Sequence, residues 1–126
     1  MDKKELYRKA VSVLPNAYAP FSHFHVGAAI LTEGGEVFTG VNVENSSYGG
    51  TICAERTAAV KAVSEGHRDF SAIAIACSDG EASPCGICRQ FLYEFNPELT
   101  VIFGTDEDHL KTYTLKELLP EGFRIK

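Results

Sequence analysis

The order of elements in this sequence predicts an α/β fold, a mixed β-sheet with helices on its faces. Three observations carry that expectation. Amphipathic and apolar segments follow one another as helix, hairpin, helix, strand, helix, hairpin. Residues 70–77 are rich in Ile and Ala at both alternations, as a central strand covered on both sides must be. The link between the last two strands is shorter than the dozen or more residues of a parallel crossover, so those two should run antiparallel. A chain of 126 residues is long enough to bury one core, and residues 1–126 are expected to form one domain.

Taken in order, residues 3–14 place Leu6, Ala10, Val13 and Leu14 on one helical face. Pro15 ends that helix, and residues 16–20 connect onward. Phe24 to Leu31 is strand-like, Glu33-Gly34-Gly35 supplies a tight turn, and Val37 to Glu44 returns as the second strand of a hairpin. Pairing about Gly34 brings Phe24 within a residue or two of Glu44. Phe24, Asn42 and Glu44 therefore collect at the open end of the hairpin, with register and facing left open. A polar, glycine-bearing loop follows at 45–50. The second helix runs from about Cys53 to Glu65 and stops at Gly66. Its Ala58, Ala59 and Ala62 allow close packing against another element. The third strand is Phe70 to Cys77, closed by a turn at 78–81. The third helix begins near Pro84, a residue suited to a first turn, and carries Cys88, Phe91, Leu92 and Phe95 as its apolar stripe. Asn96-Pro97 stops it. Thr100 to Gly104 is the fourth strand, and Tyr113 and Thr114 mark the centre of the fifth. Leu115 to Leu119 is a short helical turn before the segment Gly122 to Lys126.

The formal net charge is −5, with no basic tract, so no surface is available to displace the counterions of a polynucleotide. A small substrate is the better expectation. No apolar run approaches the ~20 residues of a membrane span. The first residues lead directly into an amphipathic pattern instead of a signal sequence, which points to the cytoplasm. In that compartment clustered cysteines mean metal or catalysis more often than disulfides.

Three of the four cysteines fall in two short segments, Thr51-Ile52-Cys53-Ala54-Glu55-Arg56 and Ser83-Pro84-Cys85-Gly86-Ile87-Cys88-Arg89-Gln90. Each segment begins a helix. At a helix start, the spacing of Cys85 and Cys88 puts both sulfurs on one side. Cys53 and Glu55 are about 200° apart around a regular helix, so they share a site only from an irregular first turn. Two helix N-termini aimed at one spot favour thiolate over thiol. Three thiolates around Zn²⁺ leave one negative charge, which Arg56 is placed to offset. Three ligands leave a fourth position for water, with Glu55 as acid and base beside it. A lone Cys-x-x-Cys is weak, being compatible with structural zinc, a redox pair or chance. The Cys53-x-Glu55 segment some 30 residues earlier and Pro84 directly before Cys85 make it specific. Cys77 reads as a small buried hydrophobe in the middle of a covered strand. His23, His25, His67 and His109 show no ligand spacing.

The sequence resembles the small, homo-oligomeric cytidine deaminases over essentially its whole length. The matching stretches are residues 19–29, 40–45, 53–58, 83–90 and 118–123. The resemblance implies a three-layer α/β/α sandwich with a mixed five-stranded sheet. It implies one zinc ion per subunit on Cys53, Cys85 and Cys88, with Glu55 moving protons during hydrolysis at C4 of cytidine or 2′-deoxycytidine, a pyrimidine-salvage reaction releasing ammonia. Asn42 and Glu44 would hold the sugar hydroxyls and Phe24 would pack on the pyrimidine. The Ala54 N–H and the Ser83 carbonyl would contact the base, and Arg56 would tune the thiolates. Tyr48 and Phe123 would reach in from neighbouring subunits of a homotetramer with the alanine-rich helices near its centre. Phe21 stands where many relatives have tyrosine, which should affect fine positioning only. The third ligand is Cys53 where some of the superfamily use histidine, which makes the metal less acidic and Arg56 more important. Other readings of the same residues are a deaminase of a modified nucleoside or aminonucleoside antibiotic, a zinc-stapled interaction module and a nucleic-acid editor.

Overall fold

A computed structural model describes residues 1–125; Lys126, the last residue of the expected C-terminal segment, lies outside the described residues. The elements are α1 (Lys3–Ser12), β1 (Val26–Thr32), β2 (Val37–Val41), α2 (Ala54–Ser64), β3 (Phe70–Cys77), α3 (Gly86–Tyr93), β4 (Thr100–Gly104), β5 (Leu110–Thr114) and α4 (Leu115–Leu118). The five strands lie in the order β2-β1-β3-β4-β5. β1 is antiparallel to β2 and β3, β3 is parallel to β4, and β4 is antiparallel to β5 as its short link requires. β3 is the central strand, as its two apolar faces demand.

Side-chain alternation along the strands divides the core into two layers. Ala29, Ala74, Ala76 and Ile102 point to one face, where Leu6, Tyr7 and Ala10 of α1 cover them. Ala28, Ile30, Ile73, Ile75, Val101 and Phe103 point to the other, under Ala54, Ala58, Ala59 and Ala62 of α2, Leu92 of α3 and Leu115 of α4. This is the expected three-layer sandwich. The small residues beneath α1 let it lie close to the sheet: a Cβ on Gly27 would sit 2.3 Å from the Ala10 carbonyl oxygen. The alanines of α2 are likewise spent on the chain's own sheet, all of them fully buried.

Gly40 of β2 is the tightest point under α2. A Cβ there would lie 2.3 Å from the Ala58 nitrogen and 2.7 Å from the Ala54 carbonyl oxygen, both backbone atoms that cannot swing aside. Gly40→Ala is therefore expected to lower stability by about 1–3 kcal/mol. Urea unfolding checks it, and an unchanged midpoint would show that α2 shifts without cost.

Several boundaries differ from expectation for identifiable reasons. α1 ends at Ser12, and Pro15 sits within a separate 3₁₀ turn at Leu14–Asn16, so Val13 and Leu14 are only half-buried. α3 starts at Gly86 because Cys85 is still extended, with φ −70° and ψ 168°. β5 reaches back to Leu110; its Lys111 and Thr112 are exposed on an edge strand, which hides the apolar pattern. Cys77 is not in the middle of a buried strand. It is the last residue of β3, partly exposed, and its thiol donates to the Asp79 carbonyl at 3.4 Å.

Candidate active site

The hairpin register sets Gly27 opposite Val41, and the Asn42 N–H still donates to the Val26 carbonyl at 3.2 Å. Beyond β2 the chain leaves the sheet, and Val43 bridges Tyr18 on one side and Ile52 on the other. That bridge seats Cys53, the residue after Ile52, beside the open end of the hairpin. Cys53 then caps α2 in extended conformation, with φ −72° and ψ 155°. Cys85 caps α3 in the same way, and Cys88 lies in its first turn, fully buried. The irregular start of α2 is what lets Cys53 and Glu55 share one site, as the 200° argument requires.

The sulfurs of Cys53, Cys85 and Cys88 lie within 4.8 Å of one another, and Cys53 and Cys85 are 3.7 Å apart. Among the described residues no other cluster could hold a metal ion. The donor set, three soft sulfurs at two helix starts, suits zinc, and it leaves one tetrahedral position without a protein ligand. Arg56 donates from Nη2 to the Cys53 sulfur at 3.7 Å and to the Thr51 carbonyl at 3.4 Å. Its buried Nε has no hydrogen-bond partner among the described residues, so donor capacity remains beside the sulfurs.

The charges in the site are strongly coupled. The Cys53 thiol is drawn down to about 5 by its hydrogen bond with Cys88, helped by Arg56 and Cys85. Cys88 is pushed up by that same hydrogen bond and by burial. Glu55 is only 4% exposed. Burial lifts its carboxyl to about 7, with the Cys53 charge adding to the effect. A carboxyl with that value can both take and give a proton near neutral pH.

Phe24, Asn42, Cys53, Ala54, Glu55, Ser83 and Cys85 line one cavity of about 190 Å³. The structure thus brings together the residues expected at the metal and the base. Asn42 is almost fully buried. Its side chain spans the hairpin end, accepting from the Val26 nitrogen at 2.9 Å and donating to the Phe24 carbonyl at 2.8 Å. Glu44 lies in an adjoining cavity of about 320 Å³ with Phe21, Ser22, Tyr48 and Thr51, and Thr51 borders both. Tyr48 meets Phe21 edge-on at 5.9 Å and is 76% exposed. Phe123 lines neither cavity and is 63% exposed.

Three residues with no role assigned from sequence hold these parts in place. Arg89 donates to the Pro84 carbonyl and to the Leu118 carbonyl, both at 2.7 Å, tying the segment that carries Ser83 and Cys85 to α4. Gln90 brackets the backbone of Phe123, donating to its oxygen at 2.8 Å and accepting from its nitrogen at 3.4 Å. Ser22 bonds to Glu44. Arg89 and Gln90 fall between the stripe positions Cys88 and Phe91, where polar residues are expected, so the periodicity did not mark them. Ser22 gave no signal either.

Comparison with known proteins places this geometry in a family. The family model for the cytidine and deoxycytidylate deaminase zinc-binding region matches residues 1–105. A probable cytidine deaminase of Dictyostelium discoideum is 50% identical over 129 residues, spanning 98% of this chain and 86% of that protein. A crystal structure of cytidine deaminase from Burkholderia pseudomallei superposes with a TM-score of 0.92 at 42% identity, covering 98% of this chain and 100% of that one. A blasticidin-S deaminase of Bacillus cereus is more distant, at 34% identity over 92% of this chain and 88% of that protein. With its three converging cysteines, its buried glutamate and this breadth of similarity, the chain belongs to the zinc-binding cytidine and deoxycytidylate deaminase family.

Proposed function

We propose that the chain hydrolyses cytidine and 2′-deoxycytidine to the corresponding uridines with release of ammonia. The observation that carries this is one cavity shared by Phe24, the buried Glu55 and two of the three convergent cysteines. Cys53, Cys85 and Cys88 would hold zinc, whose Lewis acidity would make water a nucleophile near neutral pH. Glu55 takes a proton from that water and returns protons to N3 and to the amine leaving C4. Its raised carboxyl matches both transfers. Phe24 packs on the pyrimidine, the Ala54 N–H meets O2, and the Ser83 carbonyl accepts from the amino group. Asn42 and Glu44 hold the sugar hydroxyls, a role supported by their place at the hairpin end. Arg56 offsets thiolate charge through its contact with Cys53.

We read residues 1–126 as one domain of a homotetramer working in cytoplasmic pyrimidine salvage, on unbound nucleosides and without nucleic acid or membrane. Among the described residues no helix is long and apolar enough to cross a membrane. The exposed rings of Tyr48 and Phe123 support sites completed by neighbouring subunits, as do the exposed apolar side chains of Val60 and Ile87 on the outer sides of α2 and α3. An absorbance assay with cytidine tests the activity. Prolonged incubation with a zinc chelator should reduce turnover to background, and added zinc should restore it; turnover indifferent to chelation would refute the metal's role. The likeness to a blasticidin-S deaminase makes an aminonucleoside antibiotic the second substrate class, and ammonia release across a panel of both decides between them.

A further inference from the structure

We propose that Ser22 is a positioning residue that couples the base-facing and sugar-facing halves of the site. The inference rests on the nucleoside reading for what Phe24 and Glu44 face, and on the hydrogen bonds alone for how they are joined. The Asn42 amide donates to the Phe24 carbonyl at 2.8 Å. The Phe24 N–H donates to Ser22 Oγ at 3.1 Å. The Ser22 hydroxyl in turn donates to Glu44 Oε2. An unbroken chain therefore runs from Asn42 through Phe24 and Ser22 to Glu44. His23 makes it possible by taking a left-handed backbone, φ 59°, which folds the Phe24 N–H back onto the serine hydroxyl.

The two oxygens of Glu44 are held differently. Oε1 accepts the Phe21 N–H at 3.0 Å and the Ser22 N–H at 3.1 Å. Among the described residues Oε2 has only the Ser22 hydroxyl. A carboxylate accepts about four hydrogen bonds in all, so the open capacity is on Oε2. That is the oxygen available to a sugar hydroxyl, and the Ser22 hydroxyl sets the direction in which it points. The same bond holds the Glu44 carboxyl below its ordinary range, helped by the two loop N–H groups, which keeps it an acceptor. Without the hydroxyl, Oε2 and the Phe24 N–H lose their partner together, and Phe24 is left with the Asn42 contact alone.

Ser22→Ala, Ser22→Thr, Glu44→Gln and the Ser22→Ala/Glu44→Gln double variant test this, by cytidine kinetics and by calorimetric titration with uridine. Ser22 is exposed, and thermal unfolding confirms that each variant is folded. Ser22→Ala should raise KM for cytidine and weaken uridine binding about tenfold, the scale of a hydrogen bond to a charged group, with kcat within about twofold of the parent. Ser22→Thr, which keeps the hydroxyl, should restore most of the loss. In the Glu44→Gln background the serine change should cost clearly less than in the parent, the part that remains being the lost Phe24 contact. An equal loss with and without the glutamate, a fall in kcat at constant KM, or no loss would each overturn the assignment. If no protein, the parent included, deaminates cytidine, the proposed activity fails while the uridine titrations still decide the role of Ser22. If the parent does not bind uridine either, both fall.

Discussion

Glu55→Gln will bind zinc and nucleoside as the parent does while kcat for cytidine falls by about a thousandfold or more. The substitution preserves shape and keeps a hydrogen-bonding side chain in a position that is 4% exposed, so α2 has no reason to move. What it removes is the ability to accept a proton. The proposed reaction asks Glu55 for that step first, and every later transfer returns the same proton or its successor. Loss at the acceptance step therefore removes the whole contribution, and KM should change far less than kcat. Steady-state kinetics with metal content measured on the same samples checks this. Parental turnover in a zinc-loaded Glu55→Gln protein would mean that another group moves the proton.

The same variant gives a stability signature in the zinc-stripped protein. The folded carboxyl lies at about 7, above its ordinary value of 4.5, because burial disfavours the charge. A raised value means that folding favours the protonated form. Its contribution is complete below pH 4.5 and is lost as pH rises through about 7. Glutamine mimics the protonated acid at every pH. The stripped variant should therefore match the stripped parent in acid and become the more stable of the two above pH 7, by up to about 3 kcal/mol. Urea midpoints across that range give the answer.

The parts of this molecule that are local in sequence were legible, and the parts set by long-range packing were not. β3 could be bounded at Phe70 and Cys77 because a fully covered strand must be apolar on both faces, and the following turn is polar. The antiparallel pairing of β4 and β5 followed from the length of one link. Cys85 and Cys88 could be placed together because a helix start constrains side-chain direction within a turn, whereas their meeting with Cys53, some 30 residues earlier, was legible only from the paired Cys-x-Glu and Pro-Cys-x-x-Cys pattern. No such constraint told which face α1 would cover, since Ala29 and Ala28 are equally apolar and only the observed packing separates them. Nor did any pattern announce the loop at 21–24. Its conformation depends on a left-handed residue that is not glycine, His23, and on a carboxylate twenty-two residues from the serine bonded to it. Cys77 was misjudged for a related reason. Strand membership was read correctly, but a strand's last residue emerges from the layers that cover its centre.

Cys88→Ala should abolish detectable turnover and also erase the protein's thermal response to zinc. In the proposed site each of the three cysteines would supply one of three protein ligands, so removal of any would leave too few to hold the ion at working concentrations. Cys88 is the most informative choice because it is fully buried within the core, whereas Cys85 is exposed. Replacing it leaves a small void that costs about 1 kcal/mol on its own. The larger loss is linkage: an ion that binds only the folded chain adds stability in proportion to its affinity, and that increment vanishes with the ligand. Parent and variant should therefore differ widely in melting temperature when zinc is present and narrowly after both are stripped. Cys77→Ser is the matching control, since its thiol bonds to the Asp79 carbonyl outside the metal cluster; zinc content and turnover should survive it. A Cys88→Ala protein that still melted higher with zinc would place the ion elsewhere in the fold, and the proposed site for the chemistry would have to move with it.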